Sequence, residues 1–565
     1  MEMHKVYIRQ RPWCLLGDFN SAFTLDDMLT GSSTIDISMR EFKECVDNIE
    51  VMDIQKTGGH AIFQPYRISD HSPAVLCLPT TVKAKPKPFK FLNILIQNSR
   101  FKQVVMEGWN RDVSGFNMYK AVLKLRHLKK PLRKLMFDNE EEVMYVQAFN
   151  EAILLEERFL KQKAKVDWLR DGDSNSAYFH KSVKSRISQS RIDVITNSEG
   201  LIFENEKVGD AFFSHYEVFL GQPGNVSPIC TTNLFLNRLD SAAALEMVRD
   251  ISDQEVKEAM FSMGNDKSSG PDGFTAAFFK GAWDIVANDV TNAVREFFIN
   301  GKLLKELNHT IIALVLKVVS PSRVNDFRPI SCCNVLFKCI SKIIANRIKE
   351  SLKVLISVNQ STFVPGRNIS DNILLTQELM HNYHLDRRTP RCAFKVDIQK
   401  AYDTGKRGLR QGDPLSPYLF TLVMEVLTLM LRKRVQASDS FSYHRYCSKL
   451  ELVNLCFADD LFLFAHGDAN SVRVIMEALD DFKQVFGLIP SLPKSTAYFC
   501  NVLNHVKLSI LQILPFEEGN LPVKYLGVSL VSSRLIYRDC KELIEKVQAR
   551  VDNWKNKLLS TAGRL

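Results

Sequence analysis

Residues 455–464 read Leu-Cys-Phe-Ala-Asp-Asp-Leu-Phe-Leu-Phe, so that two adjacent carboxylates interrupt a run that is otherwise apolar. The apolar flanks predict a buried strand or hairpin around the acidic pair. Burying an ionised carboxylate without a partner costs several kcal/mol, so Asp459 and Asp460 require water or a cation nearby. A turn that simply holds both side chains in water is the alternative, and the Phe and Leu residues that crowd both sides disfavour it.

A second apolar run carries one carboxylate near its end, because residues 393–398 read Ala-Phe-Lys-Val-Asp-Ile. If this strand neighbours the first, Asp397 lies close to Asp459 and Asp460. Three carboxylates supply the oxygen ligands that Mg²⁺ prefers, with phosphate oxygens completing the site. Two such ions about 4 Å apart activate a 3′-hydroxyl and stabilise a leaving pyrophosphate. These residues therefore predict phosphoryl transfer on a nucleotide.

A glycine-containing turn lies between the two acidic runs. Residues 408–417 read Gly-Leu-Arg-Gln-Gly-Asp-Pro-Leu-Ser-Pro, and an apolar helix is predicted from Tyr418 onward. Such a turn brings backbone close to a base or a phosphate at the start of a helix. Taken alone, an ordinary helix N-terminus explains the turn equally well.

The composition is that of a packed globular chain. Hydrophobic residues make up 45% and charged residues 24% of the 565 residues, which excludes wholesale disorder. The length suggests about three or four domains. The formal net charge of +10 fits a polyanion partner, although mildly basic soluble proteins are common. The 12 cysteines include no Cys-x-x-Cys pair and predict neither a disulfide framework nor a zinc site.

The sequence shows no recognisable membrane span or signal peptide. No apolar run reaches the roughly 18 residues that cross a bilayer, and the nearest, residues 418–431, contains Glu425. The first residues, Met-Glu-Met-His-Lys, do not begin the apolar core of a signal peptide. We therefore expect a soluble intracellular protein with no membrane partner.

The order of these motifs resembles the reverse transcriptase of plant non-LTR (LINE-type) retrotransposons. The resemblance rests first on residues 394–403, which include Ala-Tyr-Asp after Asp397, and on residues 408–417 and 457–460. Five further stretches match the same family, at residues 266–273, 327–331, 363–367, 488–495 and 525–527. Together the eight stretches span about residues 265–530 in the order of the family, which leaves little room for chance.

The resemblance implies catalytic and metal-binding roles for three carboxylates and a nucleotide-binding role for Tyr402. Asp397 and Asp459 would hold the metal ions, and Asp460 would be the third acidic member. Tyr402 stands where the family places an aromatic ring that excludes a ribose 2′-hydroxyl by occupying its space. The implied cofactor is a pair of Mg²⁺ ions, with Mn²⁺ as an alternative.

The resemblance also implies a nucleotide-binding set. Arg328 would grip the incoming triphosphate, which a guanidinium can bind in bidentate fashion. Gln411 and Gly412 would line the nucleotide and the template, and Lys494 would lie near the triphosphate. For Arg328 or Lys494 taken alone, a solvated surface charge is the favoured interpretation.

A basic helix is predicted to begin at Ser331. Its apolar positions recur every four residues and predict a buried stripe, formed by Leu336, Ile340, Ile344, Ile348 and Leu352. Its cations lie off this stripe and either face template phosphates or form a plain solvated face; they are Lys338, Lys342, Arg347 and Lys349.

Polar residues near the N-terminus carry a second possible chemistry. Asp18 and Asn20 end an apolar strand, and Asp70 and His71 precede another. Such residues can bind a divalent ion and supply a general base for phosphodiester hydrolysis, although a polar turn and a satisfied histidine are the simpler interpretation. Ahead of a reverse transcriptase they resemble an endonuclease/exonuclease/phosphatase domain. Because the upstream metal ligands of that family have no room here, we expect no nuclease activity.

The implied fold is α+β, in four parts. Residues 1–80, read as strands and loops, would be the C-terminal remnant of the endonuclease domain, a partial α/β sandwich. Residues 81–245 would form a basic helical connector. Residues 246–530 would form the fingers and palm of a right-hand polymerase, with an antiparallel palm sheet and helical fingers. Residues 531–565 would begin a truncated thumb.

The spacing of the motifs departs from the family in one place. Gln411 follows Asp397 by only 14 positions, where the family has dozens more, so we expect an internal deletion near residue 404. The missing helices would leave apolar palm surface uncovered. Together with the early end at Leu565, the gap indicates a decayed element or an incomplete gene model, which the sequence does not distinguish.

The leading functional hypothesis is an RNA-directed DNA polymerase of a LINE-type element. Its partners would be an RNA template, a DNA primer and deoxynucleoside triphosphates, and the family implies a nuclear location. The deletions make loss of activity an alternative, in which the chain is a non-catalytic nucleic-acid-binding remnant. An independent metal-dependent nuclease is disfavoured because its N-terminal ligands are missing.

Overall fold

The chain divides into two units, Met1–Lys87 and Pro88–Leu565. The structure, a computed structural model, describes the following residues: 44, 60–63, 74–77, 88–137, 192–205, 207–221, 227–229, 231–235, 237–318, 320–385, 389–398, 409–533, 541 and 544–549. The two units are treated separately below.

In the first unit, the described residues form a small antiparallel sheet. Strand β1 (His60–Phe63) pairs with β2 (Ala74–Cys77), and His60 lies opposite Cys77. The candidate nuclease residues Asp18, Asn20, Asp70 and His71 lie outside the described residues. The endonuclease assignment of this unit therefore stays a prediction.

The second unit is predominantly helical. Its helices are α1 (Phe101–Trp109), α2 (Asn117–Phe137), α3 (Lys207–Gly221), α4 (Ser241–Val248), α5 (Asp253–Phe261), α6 (Ala276–Gly281), α7 (Trp283–Asn300), α8 (Lys305–Asn308), α9 (Val335–Leu355), α10 (Ile369–Met380), α11 (Ser416–Gln436), α12 (Ala469–Phe486) and α13 (Asn504–Ile513).

Short strands are inserted between these helices. They are β3 (Val194–Thr196), β4 (Ile202–Glu204), β5 (Thr310–Leu316), β6 (Phe327–Cys333), β7 (Arg391–Asp397), β8 (Asn454–Phe457), β9 (Asp460–His466), β10 (Thr496–Cys500), β11 (Glu517–Glu518), β12 (Val523–Tyr525) and β13 (Val528–Leu530). Strands β3–β4, β5–β6 and β12–β13 form antiparallel pairs.

A first hydrophobic core joins helices α1 and α2 to helices α5, α6, α7 and α9. At its centre the rings of Phe274 and Phe278 lie 4.6 Å apart, and Phe91 packs edge-on against Phe278 at 5.3 Å. Gly273 permits this packing: its φ is +83°, and a Cβ there would lie 2.1 Å from the Phe89 carbonyl oxygen. The helices of the predicted connector thus share one core with the start of the predicted polymerase.

A five-stranded sheet contains both acidic runs, in the order β11-β10-β7-β9-β8. Strand β7 is antiparallel to both of its neighbours, β9 and β10. Side chains alternate across its two faces, as strand geometry requires. Phe394 and Val396 join a core with helices α11 and α12, whereas Ala393 joins a second core with α10 and the β12–β13 pair.

The expectation of uncovered apolar surface on this sheet is wrong for the described residues. None of their exposed large hydrophobic side chains lies in β7–β10 or in α11. The reason is that both faces of the sheet are covered, one by α11 and α12 and the other by α10 with β12 and β13.

The helix predicted from Ser331 begins four residues later, at Val335. Residues 327–333 instead form β6, which pairs along its whole length with β5, so that Ser331 lies opposite Ile312. Of the predicted stripe, Leu336, Ile340 and Leu352 are buried, while Ile344 and Ile348 are half-buried.

Two of the cations predicted to face phosphates or solvent are engaged within the protein. Arg347 donates through Nε to Glu255 at 2.8 Å and through Nη1 to the Arg249 carbonyl at 2.8 Å. Lys338 donates to the Ser268 carbonyl at 3.0 Å. The prediction for Arg347 is therefore wrong, because the half-buried carboxylate of Glu255 on α5 pairs with it.

Among the described residues, no helix is both long enough and apolar enough to cross a bilayer.

Candidate functional site

The strand register places two of the three predicted carboxylates side by side. Strands β7 and β9 are antiparallel, and Asp397 lies directly opposite Asp460. Residues directly opposite one another on antiparallel strands point to the same face of the sheet, with Cβ atoms about 5 Å apart. Asp459 immediately precedes Asp460, so all three acidic residues lie at one end of the sheet.

A tight hairpin turn carries Asp459. Strands β8 and β9 are joined by Ala458 and Asp459 alone, and Phe457 pairs with Asp460. Ala458 has a φ of +56°, a left-handed conformation that matches hairpin twist but costs an alanine about 1 kcal/mol. Asp459 is exposed and Asp460 is half-buried, so the turn of the alternative interpretation exists but holds only Asp459 at its tip.

The acidic cluster is electrostatically unfavourable as it stands. Burial raises the pKa of Asp397, and the charge of Asp459 raises it further, while Lys494 and Lys395 oppose the rise. Burial and the charges of Asp459 and Asp397 likewise raise the pKa of Asp460, against Lys395. A cation among these carboxylates would relieve the repulsion between them.

The segment that carries Lys494 is fastened to the end of β7. The Ser491 N–H donates to the Asp397 carbonyl at 2.7 Å, and the Asp397 N–H donates to Ser495 Oγ at 3.2 Å. Between them lies the exposed Lys494, at the end of a 3-10 turn over Leu492–Lys494. The structure therefore brings Lys494 next to Asp397, as its electrostatic effect on Asp397 also indicates.

Lys395 is a site residue to which the sequence interpretation gave no role. It precedes Asp397 by two positions and therefore points to the same face of the sheet. Its Nζ donates to the Lys524 carbonyl at 2.7 Å, and its charge lowers the pKa of both Asp397 and Asp460. The period-two spacing on β7 was the signal that could have identified it.

The predicted glycine turn docks on strand β6. The Ser331 N–H donates to the Gln411 carbonyl at 2.7 Å. Gly412 has a φ of +101°, and a Cβ there would lie 3.0 Å from the Ser331 carbonyl oxygen. Asp413 anchors the start of α11 by accepting from the Ser341 hydroxyl and the Leu415 N–H.

Arg328 lies on β6, three residues before the point at which the glycine turn docks. It is exposed and lies opposite Val315 in the β5–β6 hairpin. Within the described residues, no hydrogen bond or ion pair joins Arg328 to the three carboxylates. Tyr402, the predicted sugar-selecting residue, lies outside the described residues, as does the whole of 399–408.

The three carboxylates fit divalent cations in donor chemistry, because Mg²⁺ and Mn²⁺ both favour carboxylate oxygens. Backbone pairing supplies their proximity, and their mutual repulsion leaves them in need of positive charge. In their present side-chain conformations, the described His, Cys, Asp and Glu residues form no group of three that could hold a metal ion. The metal role of the cluster stays a prediction.

Comparison with known families identifies the domain that contains this site. The family described as reverse transcriptase (RNA-dependent DNA polymerase) matches residues 318–404 and 404–530. The two matched segments meet at residue 404, where the motif spacing predicts a deletion. The chain therefore carries a reverse transcriptase domain, and Asp397, Asp459 and Asp460 lie inside it.

The relatives of this domain are proteins of mobile elements. The chain is 26% identical over 458 residues to the "Transposon TX1 uncharacterized 149 kDa protein" of Xenopus laevis, covering 71% of this chain and 34% of that protein. It is 23% identical over 337 residues to the Pol polyprotein of the type-2 retrotransposable element R2DM of Drosophila melanogaster, covering 50% and 30%. The domain thus has homologues in non-LTR retrotransposons, and the chain spans about a third of their length.

A shorter match is much closer in sequence. Over 58 residues the chain is 50% identical to the "Uncharacterized mitochondrial protein AtMg01250" of Arabidopsis thaliana, covering 10% of this chain and 47% of that protein.

Proposed function

We propose that this chain is an RNA-directed DNA polymerase of a LINE-type retrotransposon. The observation that carries the proposal is the register of β7 and β9, in which Asp397 faces Asp460 beside the Asp459 turn within a reverse transcriptase domain. Its partners would be an RNA template, a DNA primer and deoxynucleoside triphosphates. In this proposal the five-stranded sheet with α11 and α12 is the palm, and the β5–β6 hairpin with the first core is the fingers.

The proposed chemistry assigns a task to each described residue of the site. Two Mg²⁺ ions, or Mn²⁺, would when bound activate the primer 3′-hydroxyl and neutralise the leaving pyrophosphate. Asp397, Asp459 and Asp460 would hold them. Lys395 and Lys494 favour the ionised forms of the carboxylates, and the exposed Lys494 and Arg328 side chains are free to meet a triphosphate.

The resemblance supports four finer proposals. Tyr402 would exclude ribonucleotides, and Gln411 with Gly412 would line the nucleotide. The first unit would belong to an endonuclease/exonuclease/phosphatase domain. The protein would act in the nucleus of a plant cell.

One observation favours the second candidate, a non-catalytic nucleic-acid-binding protein. Helix α2 has no acidic residue, and it carries seven cations: Lys120, Lys124, Arg126, Lys129, Lys130, Arg133 and Lys134. Of these, Arg126, Lys130, Arg133 and Lys134 are exposed, and they share one helical face because Lys130 lies three or four positions from each of the others. Such a stripe binds phosphates whatever the state of the carboxylates.

Primer extension on an RNA template separates the two candidates. We expect Mg²⁺-dependent synthesis by the full chain and none by the double variant Asp459→Asn/Asp460→Asn, while both bind the template equally. Retention of RNA without any Mg²⁺-dependent product would establish the second candidate instead. Synthesis by the double variant would reject the roles assigned to these two residues.

A further inference from the structure

Strand β8, which leads into the Asp459 turn, is bordered on its outer edge by residues 359–361. Cys456 donates its N–H to the Asn359 carbonyl at 2.8 Å and accepts the Ser361 N–H at 3.3 Å. These bonds form a parallel bridge between Gln360 and Cys456. Cys456 stands three residues before Asp459, so the segment borders the turn closely.

Side chains strengthen the same edge. Asn372 Nδ2 donates to the Cys456 carbonyl at 2.7 Å. Asn359 Nδ2 donates to Asn454 Oδ1 at 3.2 Å, and Asn454 Nδ2 in turn donates to Thr428 Oγ1 on α11 at 2.8 Å. The position of β8 therefore depends on where the 359–361 segment lies.

The Arg367 guanidinium holds the backbone around this segment. It donates through Nη2 to the Ile356 carbonyl at 2.7 Å, and through Nη1 to the carbonyls of Ser357 and Gln360. One planar group thus ties three carbonyls within five residues, a task that the fixed fork of an arginine suits and a lysine does not.

Glu425 fixes the same loop to helix α11 from the other side. The residue is only 5% exposed. Its Oε2 accepts from the Ser357 N–H at 3.1 Å and from Ser357 Oγ at 3.0 Å. The opposite charge of Arg367 favours its ionised form. A chain of direct contacts therefore runs from α11 through Ser357 and residues 359–361 to Cys456 and the Asp459 turn.

We propose that Glu425 and Arg367 are positioning residues of the polymerase site, which hold Asp459 in register with Asp397 by fixing residues 356–361 against the outer edge of β8. The inference rests on the proposed function, because Asp459 matters only if the carboxylates hold the cations. Neither side chain touches the reacting groups.

The test compares Glu425→Ala, Glu425→Gln, Arg367→Lys and a control, Glu477→Ala, in the full chain. Glu477 is a suitable control because it is a half-exposed glutamate of α12 whose ion-pair partner is Arg434. Two measurements are made on every protein: the affinity for Mn²⁺ alone, by electron paramagnetic resonance, and hydrogen exchange of the amides of residues 455–461. Primer extension gives kcat and KM.

We expect Glu425→Ala and Arg367→Lys to weaken Mn²⁺ binding and lower kcat by about tenfold, the usual size for residues behind a metal ligand. Hydrogen exchange of the amides of residues 455–461 should accelerate, whereas exchange in β10 should not. The KM for the nucleotide should stay unchanged. Glu425→Gln keeps an acceptor for Ser357, so its Mn²⁺ affinity and kcat should lie close to those of the unaltered chain. It also replaces Glu425→Ala in the comparison if that variant does not fold. Glu477→Ala should match the unaltered chain.

The outcomes separate this inference from the proposed function. If Glu425→Ala leaves exchange at residues 455–461 unchanged, or accelerates it throughout the domain, the positioning role is wrong even where Mn²⁺ binding persists. If instead Mn²⁺ binding is absent or insensitive to Asp459→Asn, the proposed function fails at its metal site. Local exchange still decides whether Glu425 and Arg367 fix the turn.

Discussion

Two acidic regions of the reverse transcriptase domain differ in the hydrogen-bond donors that their carboxylates receive from the protein. Glu425 is buried, and its oxygen accepts two hydrogen bonds from Ser357 beside the Arg367 charge. At the sheet end, no described donor reaches the side-chain oxygens of Asp397, Asp459 or Asp460, although burial raises the pKa of two of them. Because these carboxylates are exposed or half-buried, water or a bound cation can reach the oxygens that no described donor contacts.

Glu255 is another carboxylate that the protein itself stabilises. Although burial pushes its pKa upward, hydrogen bonds and charge from Arg347, aided by Arg249, hold that pKa below the ordinary value. This carboxylate is stabilised by protein cations, whereas Lys395 and Lys494 are the cations that act on Asp397 and Asp460 among the described residues. Protein cations thus favour the ionised form of Glu255, whereas burial and mutual repulsion disfavour the ionised forms of Asp397 and Asp460.

The largest expected effect is on catalysis, from Asp397→Asn. We expect primer extension to fall by about a thousandfold, because a ligand of the activating cations is lost. The thermal unfolding midpoint should not fall, because the carboxylate that is removed is repelled by its neighbours. Asp439→Asn, an exposed acid in a turn, is the control. If Asp397→Asn extends the primer at the rate of the unaltered chain, or is much less stable, the contrast between the two acidic regions is wrong.

The next effect is on stability, from Arg347→Ala. Removing this partner leaves the half-buried Glu255 with the Arg249 ion pair, so we expect the free energy of unfolding to fall by about 3 kcal/mol, the lower end for a buried pair. Denaturant titration measures this loss. Extension per folded molecule should stay unchanged, and a selective loss of kcat would place Arg347 in the catalytic region after all.

These two predictions also mark what the sequence could reveal. Asp397, Asp459 and Asp460 interrupt apolar runs, a local signal, and the period-two alternation of two strands then brings them together. The sequence predicts the start of α9 at Ser331, four residues too early, because residues 327–333 form β6 by pairing with β5. That pairing is a contact between separate segments, which a local pattern does not reveal. Glu425 looks like a stray charge in an apolar helix, since its partner Ser357 lies 68 residues earlier in the chain.

The pH dependence of stability tests the buried glutamate. Burial raises the pKa of Glu425 from 4.5 to about 7, against the opposing effects of Ser357, Arg367 and Arg432. Between these pH values the folded state binds a proton that the unfolded state has released, so the contribution of Glu425 to stability falls as the pH rises.

Glu425→Gln should abolish that dependence. Relative to the unaltered chain, the variant should gain about 3 kcal/mol in free energy of unfolding between pH 4.5 and pH 7. Denaturant titrations at several pH values across the window measure the gain. Parallel pH profiles of the two proteins would contradict this prediction and would show that Ser357, Arg367 and Arg432 fully offset the burial of Glu425.

The smallest expected effect is on the salt dependence of RNA binding, from changes on α2 that leave both acidic regions intact. Arg126, Lys130 and Arg133 lie on the exposed face of α2, which belongs to the first core and not to the sheet. If each contacts one phosphate of single-stranded RNA, replacing all three by Ala should reduce the slope of log affinity against log salt concentration by about 2. The rate of extension at saturating template should not change, because the sheet end is untouched. A salt dependence equal to that of the unaltered chain would show that these three cations do not contact the RNA.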